Sequence, residues 1–289
     1  MSAQKADMTG KVCLITGASA GIGKATAMGL AKLGATVFMV SRDPERGARA
    51  HAQVVEGSGS SSVHLMLADL SSQASIRRLV QGFESRQPVL HVLLNNAATI
   101  PRHRAITEEG LERQFAVNHL SYFLLTNLLL DRLKASAPAR IINVSSQAHR
   151  HAAVNFDDLQ SERYYHPNLA YAMTKLANVI FTYELARKLE GTGVTANCLH
   201  PGLIGTKLLA DASGLPWPLH LVTKLVGGTP AKGARTPIYL ATAPEVEGVT
   251  GRYLIGRRAI PSSPCSYDRE AAKRLWQVSA DLSKLNVSL

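Results

Sequence analysis

Acidic residues are the scarce class in this 289-residue chain: 21 Asp and Glu stand against 32 Lys and Arg, a formal net charge of +11. An excess of that size raises a nucleic-acid or anionic-membrane partner, because summed positive potential attracts polyanions. The shortage of aromatics, 6% of residues, works against nucleic acid. Basic clusters such as Arg102-His103-Arg104 and Arg257-Arg258 lack the interleaved rings of a stacking platform and read as solvated faces. Long apolar runs are missing too. The richest, Tyr122–Leu130, is broken by Thr126 and Asn127 and falls well short of the ~18 residues of a membrane span. Met1–Gly10 is polar, without the apolar stretch of a signal peptide, and no N-terminal anchor is expected ahead of the first strand. Only three cysteines occur, Cys13, Cys198 and Cys265, with no CxxC pair or Cys/His cluster at zinc spacing. Neither a disulfide framework nor a metal site is expected, and the chain reads as soluble, reduced and cytoplasmic.

What is there is ordinary for a globular protein, 46% hydrophobic and 18% charged. A chain this long buries about 75% of its unfolded surface, so it needs no covalent staple. Short β-rich runs alternate with longer helical ones. The spacing predicts strands over Lys11–Thr16, Thr36–Ser41, Val63–Leu67, Val89–Asn95, Arg140–Ser145, Thr195–Leu199 and Arg252–Ile255. Asp43-Pro44-Glu45, Ser72, Thr107 and Thr229-Pro230 supply helix starts between them. Several strands, Val92–Leu94 and Ile141–Ile142 among them, are apolar on both faces, as in a parallel sheet covered on both sides. Alternation from end to end predicts one α/β domain over residues 1–289, doubly wound, with a mostly parallel seven-stranded sheet.

The first strand runs directly into Thr16-Gly17-Ala18-Ser19-Ala20-Gly21-Ile22-Gly23, and a helical pattern follows. Glycine permits the sharp turn and lets a pyrophosphate approach the helix N-terminus with no Cβ in the way. In that context the turn predicts a dinucleotide site of the Rossmann kind. The tip of the second strand selects the dinucleotide. NAD sites place a carboxylate there; here stand Ser41 and Arg42, which suit a 2′-phosphate, with Lys24 as a second cation. NADP is favoured. The alternative is that Arg42 only faces solvent and Asp43 is the relevant acid.

Tyr171 and Lys175, four apart on a helical segment, share a face. A free tyrosine titrates near ~10, and an ammonium one turn away favours the phenolate, suiting it to general acid/base work. Ser146 ends a strand, where an open sheet presents groups to its ligand crevice, and its hydroxyl can steady a carbonyl oxygen. These residues, with Thr16–Gly23, Asp69-Leu70, Asn95–Ala98, Asn118, Asn143–Ser146, Tyr171–Lys175 and His200–Thr206 in order, make the chain resemble the short-chain dehydrogenase/reductase superfamily, and within it the retinol-dehydrogenase-like branch. The resemblance covers nearly the whole chain. It implies Tyr171 as proton donor, Ser146 rather than Ser145 as substrate orienter, Lys175 on the nicotinamide ribose and Asn118 holding a relay water. It further implies cofactor contacts from Gly17, Ser19, Gly21, Ile22 and Gly23, from Asp69 and Leu70 at the adenine, and from Asn96 and Ala97 at the adenosine ribose. Pro201, Gly202, Ile204 and Thr206 are then the loop on the carboxamide. Ala98 departs from the family's usual glycine, with a modest change in cofactor affinity expected. A homodimer or homotetramer is also implied.

The segment 203–228, rich in leucine, is the expected substrate lid, and an apolar lid suits a lipophilic or aromatic carbonyl. The insert between Ser146 and Tyr171, with His149, His151 and Tyr165, is placed to border the same pocket. The function expected is an NADP(H)-dependent interconversion of an alcohol and an aldehyde or ketone. Two rivals stand beside it: an oxidoreductase of a polar or sugar-like alcohol, and a dinucleotide-sensing regulator that has lost catalysis.

Overall fold

Eight strands form one sheet in the order β3-β2-β1-β4-β5-β6-β7-β8 in a computed structural model that describes residues 6–202 and 228–286. The strands are β1 (Val12–Thr16), β2 (Thr36–Ser41), β3 (Val63–Leu67), β4 (Val92–Asn95), β5 (Ala139–Val144), β6 (Val194–His200), β7 (Tyr253–Ile255) and β8 (Arg258–Ala259). The first seven run parallel and β8 returns antiparallel to β7. The expected seven strands are therefore present, and the eighth is a correction. It exists because Gly256, at φ 62°, turns the chain in a two-residue hairpin that pairs Ile255 with Arg258. Strand order reverses between β1 and β4, which opens a crevice at their C-terminal ends.

Helices cover both faces. Leu14, Phe38, Leu93 and Ile141 enter one core with Phe123, Phe181 and Trp276. Cys13, Ile15, Val37 and Leu94 enter the other, so neighbours in each strand serve opposite faces. Cys13 and Cys198 are fully buried free thiols, and desolvation pushes each up to about 12. The helices are α1 (Gly21–Ala31), α2 (Pro44–Ser58), α3 (Gln73–Glu84), α4 (Arg113–Phe115), α5 (Ser121–Leu128), α6 (Leu130–Ala135), α7 (Pro167–Lys188), α8 (Pro230–Gly233), α9 (Arg235–Thr242) and α10 (Arg269–Leu282).

Three of the expected caps hold: Asp43 accepts from the Arg46 N–H, Ser72 from Ser75 and Thr229 from Lys232. Thr107 does not start a helix. Gly110, at φ 77°, stops it, and the buried Glu112 carboxylate caps α4 instead, accepting from the N–H groups of Gln114 and Phe115 at 2.9 and 2.8 Å. A π-helical turn, Ala116–Leu120, then joins α4 to α5. Among the described residues no helix is long and apolar enough to cross a membrane.

Candidate active site

The crevice at the strand-order reversal holds a cavity of about 660 Å³. Of the residues singled out in the sequence, Gly17, Ser19, Gly21, Ile22, Ser41, Arg42, Asp69, Leu70, Asn96, Ala97, Ser146, Tyr171, Lys175, Pro201 and Gly202 line it. Gly23 and Asn118 stand behind the wall. Ile204, Thr206 and the expected lid, save its last residue, lie outside the described residues.

The glycine turn is built by close approach. A Cβ on Gly17, itself at φ 65°, would sit 2.8 Å from the Ala97 Cα, and one on Gly23 only 2.5 Å from the Gly17 carbonyl oxygen. Asn96 straps this turn: its Nδ2 donates to the Thr16 carbonyl at 2.8 Å and its backbone N–H to the Thr16 hydroxyl at 2.9 Å. Its side-chain nitrogen is thus turned toward the glycine loop. Asp69 spends Oδ1 on Ser71.

At the tip of β2 the Ser41 hydroxyl donates to the Asp43 carbonyl at 2.9 Å, and the Asp43 carboxylate is occupied by the cap on α2. The acid at this tip thus has its Oδ1 engaged. Lys24 does not join the site: its Nζ donates to Gln53 on α2 at 2.8 Å. Arg46, on the first turn of α2, lines the cavity as Arg42 does. Arg113 of α4 also lines the cavity, its buried Nε without a partner among the described residues, and nothing in the sequence pointed to it.

On the other side of the crevice, β5 and α7 bring three side chains together. Ser145, also in the wall, donates its hydroxyl to the Lys175 carbonyl at 2.8 Å and is used up holding α7. Ser146 faces Tyr171. Lys175 is 1% exposed; its Nζ donates to the Val144 carbonyl at 2.9 Å and lies 5.5 Å from the ring centres of both Tyr171 and Tyr122. The expected lowering of the tyrosine does not occur. Tyr171 keeps part of its surface open to the cavity, yet desolvation raises it to about 12, and the Ser146 hydroxyl only opposes this. The same desolvation draws Lys175 down to about 7. Tyr171 is therefore protonated across the neutral range, and Lys175 can gain or lose a proton within it.

Asn118 sits in the π turn with its amide fully committed: Oδ1 accepts from Thr99 N–H at 2.8 Å, and Nδ2 donates to the Thr99 carbonyl and the Thr174 hydroxyl. It braces the Thr99–Pro101 wall of the cavity through that amide. The insert closes on the same wall, the Tyr165 hydroxyl donating to the Pro101 carbonyl at 2.5 Å. His149 and His151 join no metal-type cluster among the described residues.

A fold of this topology, with a glycine turn at the reversal and a Ser/Tyr/Lys wall opposite, is that of a dinucleotide-dependent dehydrogenase. The model of the short chain dehydrogenase family matches residues 11–214, and the chain belongs to the short-chain dehydrogenase/reductase family of oxidoreductases. Within it the chain falls in the retinol-dehydrogenase-like branch. It is 45% identical to human retinol dehydrogenase 14, over 94% of this chain and 86% of that one. It is 40% identical to human polyprenol dehydrogenase, over 94% and 85%. Among solved structures, an uncharacterized protein from Mycobacterium paratuberculosis superposes with a TM-score of 0.80 at 32% identity, covering 99% of this chain and 98% of that one. The Pseudomonas aeruginosa RhlG/NADP active-site complex gives 0.70 at 30% identity, covering 86% and 95%.

Proposed function

We propose that the protein is an NADP(H)-dependent oxidoreductase that interconverts a lipophilic alcohol and its aldehyde or ketone. The observation that carries the reading is the convergence of Ser146, Tyr171 and Lys175 on one wall of the cavity while Ser145 is spent on backbone. The preference for NADP rests on Arg42 and Arg46 at the tip of β2, with the Asp43 carboxylate already engaged. The lipophilic substrate rests on kinship with proteins named for retinol and polyprenol, and on the leucines of 203–228.

The cavity fits a dinucleotide. Gly17 and Gly21 at positive φ open the loop where a pyrophosphate would lie, and Arg42 and Arg46 match a 2′-phosphate. Such a cofactor supplies the hydride equivalent that reduces the carbonyl carbon. The chain does the rest. The Ser146 and Tyr171 hydroxyls hold the substrate oxygen and stabilise charge as it develops there. Tyr171, protonated at working pH, passes its proton to that oxygen, because an alkoxide is the stronger base. Lys175, its Nζ on the Val144 carbonyl and 5.5 Å from the Tyr171 ring centre, would hold the nicotinamide ribose beside that hydroxyl. Asn118 acts through Thr99 and Thr174 as a positioning residue. Oxidation of the alcohol uses the same groups in reverse.

The test is to follow reduced nicotinamide during incubation with NADPH and a panel of retinoid, aliphatic and sugar aldehydes. Lipophilic members should turn over, and Tyr171→Phe should abolish turnover, at least about 100-fold, while NADPH affinity stays within about twofold. Tight cofactor binding with no turnover on any carbonyl or alcohol would instead make the protein a dinucleotide sensor.

A further inference from the structure

The peptide unit between Ser146 and Gln147 is gripped from both edges by histidine. On one edge, His149 Nδ1 donates to the Ser146 carbonyl at 2.6 Å. On the other, His200, the last residue of β6, accepts the Gln147 N–H on its Nδ1 at 3.3 Å. A neutral imidazole donates from one nitrogen and accepts on the other. His149 satisfies both: its Nε2 accepts the Ser263 N–H at 3.0 Å. It is fully buried and packs on the Tyr253 ring, centroids 4.7 Å apart.

Ser263 belongs to a cluster that reaches back to α7. Ser262 meets Tyr183 of α7 at 2.7 Å and Ser266 at 2.6 Å, and the Ser266 hydroxyl donates to the Ser263 carbonyl. The Arg150 guanidinium donates to the Pro261 carbonyl beside it. A continuous path thus links the helix that carries Tyr171 and Lys175, through the segment 261–267, to the backbone of Ser146. The plane of the 146–147 peptide helps set where the Ser146 hydroxyl points, and that hydroxyl must meet the substrate oxygen within a few tenths of an ångström.

We propose that His149 is a positioning residue for the reaction, holding Ser146 in its working orientation against His200 and anchoring it to the segment 261–267. The inference rests on the reading of Ser146 as the residue that orients the carbonyl. It gives His149 a use that its place in the sequence did not announce.

The two nitrogens can be separated by substitution. Asparagine places an amide N–H near the Nδ1 position and retains the donor to Ser146. Glutamine places its carbonyl near Nε2, keeps Ser263 satisfied and loses that donor. Phenylalanine keeps the ring against Tyr253 and loses both. With an aldehyde that the wild type reduces, kcat should fall about 10-fold or more in His149→Phe and His149→Gln and return to within about threefold in His149→Asn, with the KM for NADPH steady throughout. Should the phenylalanine variant fail to fold, as seen by circular dichroism, the asparagine–glutamine contrast decides. Equal kcat in those two, or losses that only follow the folded fraction, would overturn the inference and leave the proposed activity standing. A wild type without turnover on any substrate overturns the activity, and the inference with it.

Discussion

At Tyr171 two effects compete, and burial wins. The Lys175 ammonium is a turn away, but it is bonded to the Val144 carbonyl, and the pair shares a desolvated wall. Removing both groups from water favours their neutral forms, so the tyrosine rises to about 12 and the lysine falls to about 7. In the proposed reduction, a protonated tyrosine is the form that can donate to the substrate oxygen. At the β2 tip the Asp43 carboxylate caps α2 through Oδ1, and two guanidinium groups, on either side of it in the chain, line the cavity. Arg42→Asp and Arg46→Asp should each lower the NADPH-over-NADH ratio of kcat/KM by about 10-fold, and the double variant further, because a carboxylate repels a 2′-phosphate and accepts from a ribose hydroxyl. Steady-state kinetics with both dinucleotides checks this. An unchanged ratio would mean that neither arginine reads the phosphate.

Among the elements, the glycine turn has the narrowest tolerance. α1 starts against the loop it leaves, and Gly23→Ala would drive a methyl to 2.5 Å from the Gly17 carbonyl and 2.6 Å from Asn96 Nδ2. Backbone cannot swing aside as a side chain can, so the helix start must shift. Loss of about 2 kcal/mol in chemical denaturation and at least about 10-fold in NADPH affinity by titration is the expected result. Elements of this kind were legible in the sequence because pattern and chemistry agree locally: strands apolar on both faces, glycines at the first turn, Asp43 and Ser72 as caps. What escaped depends on contacts far apart in the chain. The Glu112 cap was hidden behind the more usual Thr107, since a Glu normally reads as an exposed helix residue. The commitment of the Asn118 amide to Thr99 and Thr174, and of Asn96 to Thr16, shows only once three segments meet. His149 stood in plain view three residues after Ser146, yet its second partner is 114 positions away.

Over the whole molecule, buried histidine sets the response to acid. His119 joins the π turn to α7 and α10, its ring nitrogens meeting Asn178 at 3.2 Å and Ser279 at 2.9 Å, and burial draws it from 6.5 to about 4. His200 is shifted likewise to about 4. A lowered folded value means that the unfolded chain binds the proton first. Stability is therefore full above about 6.5 and is lost as pH falls toward 4. For His119 alone the loss between pH 8 and pH 5 comes to about 2 kcal/mol. Glu112 runs the other way, burial having raised its carboxyl, and offsets part of the decline near its own range. Urea unfolding at the two pH values should show this slope, and His119→Gln should flatten it; an equal slope in the variant would place the acid sensitivity elsewhere.

The histidine grip on the 146–147 peptide also comes late in chain order. The glycine turn needs Asn96 and Ala97, from the end of β4, to strap it, whereas Ser146 receives its last support from a segment beyond residue 260. In chain order, the strap on the glycine turn is made more than 150 residues before the contact that steadies Ser146. The 146–147 peptide is held at both edges only once Ser263 is in place behind His149.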